Sequence, residues 1–103
     1  MSGKYVSIPM STGRVLAHGK ITSLASAFSL PGGVPFSIFI NKLTGTNDIL
    51  TVNCKCYLDN TASALPVVVG KWDEAAVSEI AAGAINLTQY EVYWGAGALP
   101  KTI

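Results

Sequence analysis

The chain has 103 residues and a net charge of +1; half of it is hydrophobic and only 13% is charged, against roughly 25% charged in an average globular chain. That length gives one domain, expected to span 1–103. The apolar content excludes intrinsic disorder, and charge this low suits either a surface covered by other subunits or one built of Ser, Thr, Asn and Gly.

Residues 1–20 hold two short apolar pieces, Tyr5-Val6-Ser7-Ile8 and Arg14-Val15-Leu16-Ala17, separated by Pro9 and Gly13. They read as two short strands or as an N-terminal arm that docks on a neighbour. The first residues lack the continuous apolar core of a signal peptide, and no run of about 18 apolar residues is present to span a membrane. Over 21–30, Leu24, Phe28 and Leu30 share one period-2 face, which favours a strand over a helix because Ser and Thr are frequent and no cap precedes the run. Pro31-Gly32-Gly33 ends that element as a turn.

Pro35 to Ile40 reads as a strand with Phe36, Ile38 and Ile40 on one face and Ser37 and Phe39 on the other. Asn41 to Asp48 carries turn residues. Residues 49–58 alternate most regularly: Leu50, Val52, Cys54, Cys56 and Leu58 face one way, Thr51, Asn53, Lys55 and Tyr57 the other. This is a half-buried strand, expected to form a hairpin with the preceding one. Asp59-Asn60-Thr61 turns the chain. Leu65 to Gly70 is strongly β-branched, and Pro66 assigns it to a sheet edge or to a strand start.

Residues 73–82 are the one helical candidate. Asp73 can cap the first turn, Gly83 can end it, and Ala76, Val77 and Ile80 form a narrow apolar stripe. In the last strand region, 84–94, Tyr90, Val92 and Trp94 share one face and Glu91 and Tyr93 the other. Five to seven short strands with one short helix near 73–82 indicate a mainly β fold, an antiparallel β-sandwich or barrel.

Reactive chemistry is sparse. His18 is the one histidine and stands between small residues in an expected loop. Nucleophile-elbow, phosphate-loop and zinc-protease spacings are absent. The carboxylates fall in turns or in the expected helix, with no pair placed for glycoside hydrolysis. No enzyme activity and no cofactor is therefore expected. Cys54 and Cys56 lie two apart, pointing the same way on a strand. That is an awkward geometry for a disulfide, so they read as reduced thiols of a cytosolic protein. A metal site would need further ligands that the chain does not supply. Lys4, Arg14, Lys20, Lys42, Lys55, Lys71 and Lys101 are scattered and give no concentrated basic face for nucleic acid. Asn86-Leu87-Thr88 matches a glycosylation sequon, a match read as chance in a chain without a secretion signal.

The phenylalanines read most simply as core. Trp72, Tyr90, Tyr93 and Trp94 combine an apolar body with a polar tip, which suits interfaces and sugar-stacking platforms. Rings on both faces of one strand need a second layer or a partner. Trp94, sharing its face with Tyr90 and Val92, is the expected core anchor; Tyr93, beside Glu91, is the expected contact ring. Trp72, Tyr90, Glu91 and Tyr93 are accordingly the candidate interface residues.

The sequence Pro66-Val67-Val68-Val69-Gly70-Lys71-Trp72, then Glu79-Ile80 and Ile85-Asn86-Leu87, ending in Tyr90-Glu91-Val92-Tyr93-Trp94-Gly95-Ala96-Gly97, resembles the C-terminal half of small bacteriophage virion proteins. The resemblance spans about 30 of the 103 residues. It implies a self-associating part of a capsid, head–tail junction or tail, with no catalytic residues to carry over. The partners it implies are further copies of the chain and other virion proteins, not nucleic acid or membrane, in a particle assembled in the host cytoplasm. A carbohydrate- or protein-binding β-sandwich using surface aromatics is the alternative.

Overall fold

The computed structural model describes residues 17–97. Six strands form: β1 (Ala17–Ile21), β2 (Ser37–Lys42), β3 (Ile49–Cys56), β4 (Ser63–Val68), β5 (Val77–Ile80) and β6 (Tyr90–Ala96). They make two three-stranded antiparallel sheets, sheet A in the order β1-β6-β2 and sheet B in the order β4-β3-β5. The mainly β, antiparallel expectation holds. The sheets do not close into a barrel, because β1 and β4 each pair on one side only.

Period-2 alternation builds one core from both sheets. Phe36, Ile38 and Ile40, together with Tyr90 and Val92, meet Val52 and Cys54 of β3, Val67 of β4, and Val77 and Ile80 of β5. Full burial of each large aliphatic side chain stabilises by about 1.5–3 kcal/mol. The sheets are also joined through the main chain. Phe36 and Val77 exchange two hydrogen bonds of 2.9 and 2.8 Å, while Gly70 and Asp73 donate to the carbonyls of Ile40 and Ile38. The free flank of β2 is thus occupied by the segment leading into β5.

The expected helix over 73–82 is not formed; residues 77–80 are strand β5 instead. Asp73 does cap, but it closes a short turn, its Oδ2 accepting the Ala75 amide at 3.0 Å. Beyond it the backbone groups a helix would need are taken by other segments: Ala76 O by Tyr57, Val77 by Phe36 and Ile80 by Phe28. The register between β3 and β5 shifts at Lys55/Cys56, leaving Ser78 as an extra residue. This bulge brings Val77 and Ile80, three apart, both into the core. A bulged strand therefore imitates the spacing of a helical stripe.

Three further expectations are corrected. β2 and β3 form no hairpin: the 43–48 connection carries the chain from sheet A to sheet B. Residues 22–30 are loop rather than strand, touching the sheet only where Phe28 bridges Ile80, although Leu24 is buried and Phe28 and Leu30 pack on the core. His18 lies in β1 and not in a loop, exposed opposite Gly95. Of the expected N-terminal arm, 17–20 belong to β1, and 1–16 lie outside the described residues.

Pro66 behaves as expected for an edge strand. Val69 donates to Asp48 O at 2.8 Å, and counting along the register from that pair makes Leu50–Val67 hydrogen-bonded and Thr51–Pro66 non-hydrogen-bonded. Proline therefore costs the ladder nothing, and its missing N–H falls on the open edge, where it removes a donor from any incoming strand.

Candidate interaction surface

The outward positions of sheet A form a row across the strands. Lys20 of β1 stands opposite Tyr93 of β6, Tyr93 opposite Phe39 of β2, and Phe39 bridges Trp72 on the connection beyond. The rings touch: Phe39 and Trp72 have centroids 5.3 Å apart, Phe39 and Tyr93 6.3 Å. Phe39 and Tyr93, inclined by 67°, meet edge to face as aromatic quadrupoles favour, while Phe39 and Trp72 are tilted by 54°. All three are half-buried.

Next to the rings lies a polar knot. Glu91 Oε2 accepts from Lys20 Nζ at 3.0 Å and Oε1 from Asn41 Nδ2 at 3.1 Å. The Asn41 and Lys20 hydrogen bonds hold the Glu91 carboxyl below its ordinary value, and the same carboxylate raises the Lys20 ammonium above its own. The knot fixes one charge pair spanning the three strands of sheet A.

Three of the four candidate interface residues, Trp72, Glu91 and Tyr93, therefore come together on one face. Tyr90 does not join them. It is 4% exposed, on the core side, with its hydroxyl accepting the Asn47 amide at 3.0 Å. Its ring lies over Gly45, where any Cβ would overlap the ring carbons, so it stays outside the outward aromatic row. Trp94 packs against the core, its indole lying so close to Gly19 that an added Cβ would stand 2.7 Å from Nε1.

Phe39 is the ring that sequence reasoning left in the core. The signal was present in the alternation that puts Phe39 opposite to Phe36, Ile38 and Ile40. Leu58, placed on the inward face of a strand through residue 58, is 88% exposed, because β3 ends at Cys56. With Leu43 (52%), Ile49 (57%), Tyr57 (52%) and Val68 (42%) it completes the exposed large apolar side chains of the described residues.

Cys54 and Cys56 are free thiols, the first buried and the second half-buried. Burial pushes Cys54 up to about 11 and raises Cys56 as well, so both are neutral near pH 7 and poor nucleophiles. Among the described residues no group of three or more His, Cys, Asp or Glu side chains is placed to hold a metal ion, and no helix is long and apolar enough to cross a membrane. No protein-family model, curated protein sequence or solved structure matches this chain.

Proposed function

We propose that the chain is a non-enzymatic, self-associating structural subunit of a bacteriophage particle, as capsid decoration, head–tail or tail component, folded as a small β-sandwich. The observation that carries the reading is the surface: among the described residues five large apolar side chains stand exposed on a chain with only 13% charged residues, and the outer face of sheet A carries the half-buried Trp72–Phe39–Tyr93 cluster. Exposed apolar area of that kind marks contact surfaces. Further copies of the chain and neighbouring virion proteins are the partners, met in the host cytoplasm and retained in the particle.

Sedimentation across a concentration series tests the association, with a discrete oligomer as the expected result. A monomer at every concentration overturns it. Peptide mapping of purified particles tests the virion assignment; absence of the chain from particles, with abundance in the infected cell, would defeat that part alone.

A further inference from the structure

The hydrogen-bond ladder of sheet A fixes which backbone groups point out of it. Along a strand, successive residues turn their N–H and C=O to opposite flanks. On the outer flank of β2, Gly70 and Asp73 donate to the carbonyls of Ile40 and Ile38, and Phe36 bonds to Val77. Ser37, Phe39 and Asn41 therefore turn the other way, to Gly95, Tyr93 and Glu91 of β6. The next pair in that register agrees, with Leu43 N donating to Gln89 O at 2.9 Å. Val92, Trp94 and Ala96 then face β1 and take Ile21, Gly19 and Ala17. His18 and Lys20 are left with N–H and C=O directed away from the sheet, and among the described residues none bonds to them.

Other edges in the fold are guarded. Residues 70–77 fill the outer flank of β2, β5 bonds to Phe28 and Phe36 on the side away from β3, and β4 carries Pro66. Lysine is a common edge guard because its charge resists an incoming strand. Lys20 does not act so: it leans back over β6, with Nζ 3.0 Å from Glu91 Oε2. At the middle of β1 stands Gly19. The half-buried Trp94 indole reaches from β6 beneath it and fills the space of a Cβ.

We infer that β1 pairs antiparallel with β1 of a second copy, about a two-fold axis through Gly19. The free groups are self-complementary. His18 of each copy falls opposite Lys20 of the other, and each such pair exchanges both of its backbone bonds, so every free donor and acceptor of the two edges is used. Sliding the register by two residues would leave His18 or Lys20 facing no residue of β1. Gly19 meets Gly19 at the axis as a non-hydrogen-bonded pair, the close kind with Cα atoms about 4.5 Å apart, and the Trp94 rings of both copies line the seam. The contact is isologous and closed, and it joins two three-stranded sheets into one continuous sheet. The inference rests on the self-association proposed above, and the experiment separates the two.

Sedimentation is measured on the wild type and on His18→Pro. The substitution gives β1 the device that β4 carries at Pro66. It removes an outward N–H that the sheet does not use, and Ala17 before it is in a strand, the extended backbone that a residue preceding proline prefers. The wild type is expected as a dimer or a larger even-numbered assembly, and His18→Pro at half that mass with unchanged circular dichroism. Amide exchange on the wild type gives a second readout that does not depend on the variant folding. The His18 and Lys20 amides are expected to gain protection with protein concentration, in step with the mass, while Gly19 and Ile21 are protected throughout. An assembly that survives His18→Pro, an odd-numbered one, or one in which the His18 and Lys20 amides exchange freely overturns the β1 contact and leaves self-association standing. Protection of those amides that does not change with concentration assigns the edge to the same chain and overturns the second copy as its occupant. A monomeric wild type overturns both readings.

Discussion

Sheets A and B bury the same kind of side chain inward and differ outward. The outer face of sheet A carries Tyr93 and Phe39 against Trp72, with the Lys20–Glu91–Asn41 knot beside them. The outer face of sheet B pairs Ile49 with Val68, Thr51 with Pro66 and Asn53 with Ala64, and has one ion pair, Lys55–Glu79 at 3.4 Å. The inward pattern is enough to specify two layers. The outward pattern decides where extra stability is stored: β6, at the centre of sheet A, is packed on both faces, whereas β3, at the centre of sheet B, is packed on one.

The largest expected effect removes the feature that the sheets share. Phe36 is fully buried, stands edge-on to Phe28 at 5.4 Å, and bonds through its backbone to β5. Phe36→Ala is expected to cost about 3–5 kcal/mol in denaturant unfolding. Tryptophan fluorescence, which reports sheet A, and far-ultraviolet circular dichroism should still move together. Separate transitions would mean that the sheets are independent units.

Gly45→Ala comes next. The added methyl strikes the Tyr90 ring at the start of β6, and overpacking of this kind costs about 1–3 kcal/mol. A melting temperature equal to that of the wild type would show that the 43–48 connection yields freely.

The comparison itself is sharpened by matched outward substitutions. Phe39→Ala deletes two ring contacts, each worth about 0.5–1.5 kcal/mol. Thr51→Ala on sheet B is expected to stay within about 0.5 kcal/mol. Equal losses in denaturant titrations would erase the distinction between the two outer faces.

The smallest effect is electrostatic. Glu91 has a folded value below its ordinary 4.5, so its contribution is present above 4.5 and is lost as pH falls through the depressed folded value. Lys20 is raised above 10.5, so its contribution is present below 10.5 and is lost as pH rises through the raised value. Glu91→Gln should therefore be slightly less stable than the wild type near neutrality, with the gap closing on both the acid and the alkaline side. The pair is surface-exposed and worth little, and added salt should shrink the gap further. A gap that is constant with pH would assign the loss to packing.

Much of this was readable from residue order. Phe36, Ile38 and Ile40 announced β2 and its buried face, Pro66 announced an edge, and Tyr90 to Trp94 announced the last strand with Tyr93 turned outward. What failed did so for local reasons. The bulge at Ser78 shifts the phase of β5 by one residue, and period counting cannot distinguish that from a helical stripe. The end of β3 at Cys56 is set by the Cys56–Asp59 turn bond, which no polar turn residue at 57 or 58 signals. The hairpin expectation assumed that neighbours in sequence pair, yet both flanks of β2 are claimed by segments 30 to 58 residues away. Of the candidate surface, Trp72, Glu91 and Tyr93 were legible. Phe39 was hidden by the habit of assigning phenylalanine to cores, and the exposure of Leu58 by an alternation continued two residues too far.

The position of β6 also has a consequence for biosynthesis. It is the last of the six strands to be synthesised and lies between β1 and β2, pairing Ala17 with Ala96 and Ser37 with Gly95. Sheet A thus cannot exist on the ribosome before residue 96 has been made, and the early strands must wait with their apolar faces unsatisfied. So distant a closure folds slowly and exposes the nascent chain to aggregation.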